Sequence, residues 1–262
     1  MNSPIHIEVQ DRIVTLTLNR PDKLNAIVPE MADGFREALR KAAEPGAKGL
    51  VLRGEGRGFC AGGDLGWLVK NVEAGNQKEL EALLDLGVEV AHGLRTLPKP
   101  VLALIQGPCA GAGMSLALGA DLRVAATDAK FSMAFVKVGL HPDWGGSVML
   151  HLAAGPSVAA HLMLTADAVD AARAKELGLV HEVVDPEMLA DVGKVWTQRL
   201  AHGPGEAMAR IKASALRNAG LTPDSLLALL KTEGEQMKTA IRSADAREGM
   251  RAFLEKRAPK FA

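Results

Sequence analysis

Cysteine is scarce in this sequence, which holds only Cys60 and Cys109 among its 262 residues. Neither thiol lies in a Cys-x-x-Cys pair or a Cys/His cluster, so the pattern of a disulfide-linked secreted domain or of a zinc site is missing. A charge excess is missing too, because 31 basic and 31 acidic side chains leave a formal net charge of 0. A balanced chain has no overall attraction for nucleic acid or anionic lipid. We therefore expect a cytoplasmic protein with no nucleic acid partner.

The sequence also shows no long apolar run. A membrane-spanning helix needs roughly 18 or more apolar residues in succession, and residues 114–126 come closest before Asp121 and Arg123 interrupt them. Residues 1–9 lack the apolar core of a signal peptide. Hydrophobic residues at 48% and charged residues at 24% are typical of a soluble globular protein. We therefore expect no contact with a membrane.

Strand and helix patterns alternate over most of the chain. Residues 5–9 and 13–18 have the alternation of a β-hairpin, and residues 29–43 have the apolar spacing of a helix. Two further short apolar strands each lead into a Gly-rich loop. Strand signals end near Glu187, and the remainder is predicted to form helices over residues 188–202, 206–218 and 223–256. This order predicts an α/β core followed by a helical tail.

The two Gly-rich loops are the strongest candidates for a ligand site. They cover residues 58–65 and 106–113, and each follows a strand and leads toward a helix. Glycine leaves backbone N–H groups accessible, and a helix N-terminus adds partial positive charge. Two such loops can direct one N–H each at a single oxygen atom, which is the arrangement of an oxyanion hole. Neither loop fits the dinucleotide-binding or P-loop pattern.

Stretches in order along the chain resemble the crotonase (enoyl-CoA hydratase/isomerase) family; they are residues 19–26, 59–65, 107–113, 120–123, 138–146, 171–180 and 253–257. The resemblance implies a crotonase-like α/β fold. It implies a core of stacked ββα units over residues 1–200, which binds acyl-CoA, and a C-terminal helical trimerisation region over residues 201–262. It further implies a homotrimer or a dimer of trimers. No metal or cofactor is implied, because the coenzyme A thioester is the substrate.

Carried over position by position, the resemblance assigns the oxyanion hole to the backbone N–H groups of Gly63 and Ala112. One such donor contributes about 3–4 kcal/mol to the transition state, and alanine at 112 retains its N–H. The resemblance assigns contacts with the coenzyme A thioester or its acyl chain to Lys23, Leu24, Ala26, Ala61, Gly62, Asp64, Leu65, Gly111, Phe135, Leu140 and Trp144.

The two glutamates with which hydratases of this family add water are missing, because their positions hold Ser115 and Phe135. A phenyl ring exchanges no proton, and an unactivated hydroxyl is a weak base. Asp143 is the acid that remains, in a segment that resembles the branch of ring-epoxide phenylacetyl-CoA and double-bond isomerases. Apolar neighbours such as Leu140 and Trp144 are expected to raise the pKa of Asp143 and make it a better base. We therefore predict an isomerase with Asp143 as general base.

Alternatives stay open. Asp143 precedes a Gly-rich turn and an apolar helix, so its carboxylate is also a candidate N-cap. A nucleophilic Asp143 would suit another crotonase activity such as aryl-CoA dehalogenation, although Val88 stands where that branch has a histidine. Residual hydration and non-catalytic acyl-CoA binding are further alternatives. His141 is a candidate for tuning Asp143 or contacting substrate, and Trp67 is a candidate for lining the acyl pocket.

Overall fold

Residues 3–262 are described by a computed structural model with two central β-sheets. The strands are β1 (Ile5–Gln10), β2 (Ile13–Leu18), β3 (Gly49–Gly54), β4 (Val101–Ile105), β5 (Pro108–Ala110), β6 (Leu122–Ala126), β7 (Lys130–Ser132), β8 (Val169–Asp170) and β9 (Glu182–Val184). The helices are α1 (Ala32–Ala43), α2 (Leu65–Ala74), α3 (Gln77–Thr96), α4 (Ala112–Gly119), α5 (Gly146–Thr165), α6 (Ala171–Glu176), α7 (Leu189–His202), α8 (Gly205–Asn218), α9 (Pro223–Ala240) and α10 (Ala244–Leu254). Short 3-10 turns cover Pro21–Lys23, Pro29–Met31, Ala134–Val138 and Pro186–Met188.

The larger sheet has six strands in the order β1-β2-β3-β4-β6-β9, and the smaller sheet has the order β5-β7-β8. Strands β1 and β2 pair antiparallel, whereas the later pairs of the larger sheet are parallel. The predicted hairpin is therefore confirmed. Asp11 and Arg12 form its turn with positive φ angles of 49° and 67°, the backbone geometry that matches the twist of the flanking strands.

Helices cover the sheets with apolar faces, and the predicted α/β class is confirmed. Helix α1 buries Phe35, Ala38 and Ala42, which lie on one helical face. Strands β3 and β4 are almost wholly buried, as parallel strands covered on both faces must be. Because β3 and β4 are neighbours and parallel, the Gly-rich loops that follow them leave the sheet at the same edge.

The helical tail is confirmed, but the single helix predicted over residues 223–256 is wrong. The structure divides it into α9 and α10, because the Ser243 hydroxyl accepts a hydrogen bond from the amide of Ala246 and caps a new helix. Helix α9 lies along α3, with Lys238 and Asp85 paired at 2.8 Å. Helix α10 packs closely on the turn Ala134–Val138, where Gly249 contacts the backbone of Val138. The division between residues 200 and 201 stays a prediction.

Helix α5 is the helix within residues 3–262 that is long and apolar enough to cross a membrane by length and composition. Residues 114–126 were expected to come closest to such a helix, and that expectation is wrong. The backbone of Gly155 is non-helical, with φ of 77° and ψ of 169°, and it divides α5 into two parts before Pro156. Core helices of soluble proteins meet the same length and composition test.

Candidate active site

Asn25 organises the first Gly-rich loop from the chain that precedes it. This side chain is fully buried, at 0% exposure. Its amide nitrogen donates hydrogen bonds to the carbonyls of Glu55, Gly58 and Phe59, and its oxygen accepts one from the Arg20 amide at 2.8 Å. Four hydrogen bonds to backbone groups hold the loop in one conformation. Asn25 lies in the stretch 19–26 that carries the family resemblance, but its role in building the site was not predicted from the sequence.

A short parallel bridge between Cys60 and Cys109 joins the two loops. The Cys60 amide donates to the Pro108 carbonyl at 3.1 Å, and the Ala110 amide donates to the Cys60 carbonyl at 2.9 Å. Burial raises the pKa of the Cys60 thiol to about 12 and raises that of Cys109 as well. Both thiols are therefore protonated and unreactive at neutral pH, and their contribution is to packing between the loops.

The bridge brings the amides of Gly63 and Ala112 to the same place. Ala112 is the first residue of α4, where an N–H has no intrahelical acceptor. Gly62, with φ of 99°, approaches the second loop so closely that a Cβ there would lie 3.4 Å from the Ala112 nitrogen. Among residues 3–262, neither the Gly63 nor the Ala112 amide donates to a backbone acceptor. Two adjacent, unpaired N–H groups are the chemical requirement of an oxyanion hole.

A cavity of about 270 Å³ lies in front of these amides. Ten of the residues predicted for the site line it: Ala61, Gly62, Gly63, Leu65, Gly111, Ala112, Phe135, Leu140, Asp143 and Trp144. The rest of the wall is largely apolar and includes side chains that the sequence analysis missed: Leu68, Leu83, Leu84, Val138, Met237 and Phe253. Met237 and Phe253 come from α9 and α10, so the helical tail forms part of the cavity wall.

Four of the predicted binding residues lie outside this cavity wall. Lys23 is exposed in the turn Pro21–Lys23, and Leu24 follows it in a left-handed conformation. Ala26 is buried. Asp64 does not face the cavity: its carboxylate caps α2 through the Trp67 amide and pairs with Arg20 at 3.0 Å. Contacts of these residues with coenzyme A stay predictions.

The two positions that lack glutamate differ in their surroundings. Phe135 faces the cavity and is 6% exposed. Ser115 is fully buried in α4, and its hydroxyl donates to the Gly111 carbonyl at 3.3 Å. Gly146 packs directly on the Ser115 hydroxyl. Helices α4 and α5 are therefore in close contact at position 115.

Asp143 faces the cavity with a carboxyl group that is 6% exposed. Within residues 3–262, its Oδ1 atom has no hydrogen-bond partner. Burial raises the pKa of this carboxyl well above its ordinary value, and the nearby charge of Glu233 raises it further, against a smaller lowering by its own backbone N–H. A neutral apolar surrounding disfavours the ionised form. A carboxyl group that lines a cavity, has a raised pKa and has one oxygen without a hydrogen-bond partner is a candidate acid–base group.

Helix α5 is capped by Glu233 and not by Asp143, so the N-cap alternative for the Asp143 side chain is wrong. The helix begins at Gly146 with Gly145 as N-cap residue. Glu233 accepts hydrogen bonds from the amides of Gly145 at 2.7 Å and Ser147 at 2.8 Å, and from the Ser147 hydroxyl. Asp143 contributes its backbone carbonyl, which accepts from the Gly146 amide.

Glu233 was missed in the sequence analysis although a signal was present. On α9 it lies on the same face as Leu226, Leu230 and Met237, all buried, and it is itself 5% exposed. A glutamate at an apolar position of an amphipathic helix requires a buried partner. The spacing therefore predicts a buried polar contact for Glu233, but it does not tell which residue is the partner.

The three remaining candidates have different surroundings. Trp144 has a φ of 56° and packs edge-on against Phe35 with ring centroids 5.4 Å apart. Gly87 makes room for it, because a Cβ there would lie 2.7 Å from the indole. His141 is partly buried, and its Nδ1 lies 2.6 Å from the Pro142 carbonyl. Trp67 is packed against the core but does not line the cavity.

The fold and the cavity define a crotonase-class protein, with an α/β core, a helical tail and paired backbone amides beside an acyl-sized cavity. The sequence profile of the family described as "Enoyl-CoA hydratase/isomerase" matches residues 8–262. The chain belongs to the enoyl-CoA hydratase/isomerase family. Within residues 3–262, no cluster of three or more His, Cys, Asp or Glu side chains could hold a metal ion.

Individual relatives carry both isomerase and hydratase names. The chain is 40% identical over 261 residues to a 1,2-epoxyphenylacetyl-CoA isomerase of Escherichia coli K12, covering 97% of this chain and 96% of that protein. It is 38% identical to a probable enoyl-CoA hydratase of Rhodobacter capsulatus, covering 98% and 97%. A crystal structure of an enoyl-CoA hydratase from Mycobacterium avium subsp. paratuberculosis superposes with a TM-score of 0.87 at 30% identity, over 100% of both chains. The chain is thus an enzyme of acyl-CoA isomerase or hydratase type.

Proposed function

We propose that this enzyme is an acyl-CoA isomerase that shifts a double bond or rearranges a ring through a thioester enolate. Asp143 is the proposed general base, and the amides of Gly63 and Ala112 are the proposed oxyanion hole. The observation that carries the proposal is that Asp143, buried and with no partner for Oδ1 among residues 3–262, lines the same cavity as Gly63 and Ala112.

The proposed reaction needs one base and one oxyanion site. The ionised Asp143 takes a proton from one carbon of the acyl chain, and negative charge moves to the thioester oxygen. The Gly63 and Ala112 amides stabilise that oxygen, each by about 3–4 kcal/mol. Asp143 then returns the proton to another carbon, and the double bond moves. The apolar wall excludes water, which strengthens these hydrogen bonds.

Hydration is the second candidate, because a relative 38% identical to this chain is named a probable enoyl-CoA hydratase. Water addition needs a group that orients and activates water as well as one that delivers a proton. Phe135 supplies no such group, and Ser115 is fully buried with its hydroxyl bonded to the Gly111 carbonyl. Asp143 is the one carboxyl group among the residues that line the cavity, and this favours a proton shift over hydration, dehalogenation or binding without turnover.

The proposal extends to binding and assembly. Ala61, Gly62 and Gly111 lie beside the paired amides, and we propose that they contact the thioester. Lys23, Leu24 and Ala26 are proposed to contact coenzyme A, in a cytoplasmic enzyme.

The apolar side chains of Leu152 and Leu164 on α5 are 37% and 75% exposed, which supports a homotrimer or dimer of trimers. Light scattering coupled to size-exclusion chromatography measures the oligomeric state.

The test compares the native enzyme with Asp143→Asn on 3-enoyl-CoA, ring-epoxide phenylacetyl-CoA and crotonyl-CoA substrates. We expect isomerisation with entry of solvent deuterium into the acyl chain, and a fall of about a hundredfold or more in the variant. Asparagine retains shape but exchanges no proton. Glu235→Gln is a matched carboxyl-to-amide control, because Glu235 is an exposed acid of α9 whose partner is Lys238.

Binding of a non-reacting CoA thioester separates the outcomes. Unchanged turnover in Asp143→Asn would exclude Asp143 as the base. Faster hydration of crotonyl-CoA than isomerisation of any substrate would favour the hydratase function. Tight binding without deuterium entry in the native protein would indicate a binding protein.

A further inference from the structure

A second buried carboxylate lies directly behind the proposed catalytic aspartate. Glu233 is 5% exposed and reaches from α9 to the N-terminus of α5, across 88 residues of sequence. Its two oxygens accept three hydrogen bonds, one from Gly145 and two from Ser147. All of its donors therefore belong to the turn that follows Asp143.

That turn has an unusual backbone. Trp144 and Gly145 are consecutive residues in the left-handed region, with φ of 56° and 80°. A bulky residue in this region is strained by about 1–3 kcal/mol and persists only where its surroundings enforce it. The turn directs the Gly145 and Ser147 amides toward α9, where Glu233 binds both of them. Without an acceptor, these buried amides would destabilise the conformation.

We propose that Glu233 is the positioning residue of Asp143: by capping α5 from α9, it holds the Trp144–Gly145 turn and leaves the Asp143 carboxyl free to face the acyl cavity. This inference rests on the proposed role of Asp143 as base. An aspartate at the start of a helix ordinarily binds the free amides of the first turn. Here Glu233 occupies those amides, and Oδ1 of Asp143 remains without a partner among residues 3–262.

Glu233 also acts on Asp143 through charge. Its proximity raises the pKa of Asp143, in addition to the larger effect of burial. Burial raises the pKa of Glu233, and the hydrogen bonds from Ser147 and Gly145 and the nearby His141 offset part of that increase. Lys137 is the other ionisable side chain on the cavity wall, and α4 contributes none. A separate pocket between α3 and α9 is lined by the ionisable side chains of Asp85, Glu89, His92, Lys231, Glu235 and Lys238.

The experiment compares native enzyme, Glu233→Gln, Ser147→Ala and the control Glu235→Gln. Glutamine keeps one acceptor oxygen but removes the charge and places an NH₂ group against a backbone N–H. We expect kcat to fall by about tenfold to a hundredfold, as for a displaced catalytic group, with KM for the CoA thioester nearly unchanged. We also expect the midpoint of the pH profile of kcat/KM to move to lower pH, because the neighbouring negative charge is lost. Glu235→Gln leaves both unchanged.

A purely structural role predicts a different result. In that case Glu233→Gln lowers the melting temperature, but the folded enzyme retains its kcat and its pH midpoint, and the inference is overturned. Ser147→Ala removes only the hydroxyl contact and keeps both backbone amides, so it tests the cap if Glu233→Gln fails to fold. We expect kcat to fall severalfold there with KM retained; unchanged kcat in Ser147→Ala would overturn the positioning role.

Failure of this inference is distinguishable from failure of the proposed function. If Asp143→Asn is fully active, the base assignment fails whatever Glu233 does. If Asp143→Asn is inactive while Glu233→Gln matches the native enzyme in kcat and pH profile, only the inference about Glu233 fails. The carboxyl ¹³C titration of Asp143 by NMR, in native protein and Glu233→Gln, gives a readout that does not depend on turnover.

Discussion

The two sides of the acyl cavity are built on different principles. On the loop side, the groups that face the cavity are backbone amides, held by a local bridge between Cys60 and Cys109 and by the side chain of Asn25. On the opposite side, the group is the side chain of Asp143, and the turn that follows it binds Glu233, which belongs to α9. The position of the Gly63 and Ala112 amides depends on the close approach of two loops. The surroundings of the Asp143 carboxyl depend on the buried Glu233 and on the strained turn at Trp144.

The largest expected effect comes from a substitution that separates the two Gly-rich loops. A Cβ at Gly113 would overlap the Cys60 carbonyl, which is backbone and cannot move aside. We expect Gly113→Ala to separate the loops and to lower kcat/KM by about a hundredfold or more, because an oxyanion donor is displaced. Steady-state kinetics measures this effect. Gly46→Ala is the matched control, because no atom lies within 4 Å of a Cβ at Gly46; equal losses in the two variants would contradict the explanation.

The pH profile of kcat/KM tests the side of the cavity that holds Asp143. Asp143 must be ionised to act as base, and its pKa is raised well above the ordinary value by burial and by Glu233. We therefore expect kcat/KM to increase with pH through a midpoint above the ordinary aspartate range of about 3.9. Measurement between pH 4 and 9, with stability checked at each pH by circular dichroism, locates the midpoint. A flat profile down to about pH 4 would show that the reacting group is not this buried carboxyl.

A smaller effect is expected from a substitution on helix α3, which packs against Trp144. Gly87 on this helix makes room for Trp144, and a Cβ there would lie 2.7 Å from the indole ring. We expect Gly87→Ala to shift the Trp144–Gly145 turn and to lower kcat by about tenfold, with overpacking that destabilises the fold by about 1–3 kcal/mol. Gly93→Ala on the same helix is the control, because its Cβ would meet only the flexible end of Leu39. The prediction fails if both variants retain native kcat.

The smallest expected effect concerns stability. The pKa of Asp143 is raised in the folded protein, so the stabilisation of the protonated form is complete below the unfolded pKa of about 3.9 and is lost as pH rises toward the folded pKa. Asparagine does not ionise. We expect the melting temperature of Asp143→Asn relative to the native protein to increase from pH 4 to pH 8, by about 2–4 °C for each kcal/mol. A difference that is independent of pH would contradict the raised pKa.

Much of the loop side was predictable because its determinants are local. Glycine at positions 62, 63, 111 and 113 marks close backbone approach, and the strands before the loops are short and apolar. Parallel neighbours place their loops at one edge of the sheet, which the structure confirms for β3 and β4. The assignment of Gly63, Ala112, Phe135 and Asp143 to one cavity followed from the family resemblance, and all four lie on its wall.

The features that sequence reasoning missed depend on contacts between distant segments. The cap that the Asp64 carboxylate forms on α2 and its pairing with Arg20, 44 residues away, were not predicted. Helix capping at α5 was considered for Asp143 because the local pattern fits, yet Glu233 fills that role from another helix. Local propensity identifies which groups need a partner, and it does not identify a partner that lies far away in sequence.

By itself, the sequence determined the α/β class, the two Gly-rich loops, the absence of both hydratase glutamates and the presence of a lone acid at position 143. Only the tertiary structure decided that this acid is buried, with no partner for Oδ1 among residues 3–262, and that Glu233 caps the adjacent helix. The physical reason is that burial and charge proximity depend on how α3, α4 and α9 pack around the turn. These packing effects, and not the identity of the residue alone, give Asp143 a raised pKa and a place on the wall of the acyl cavity.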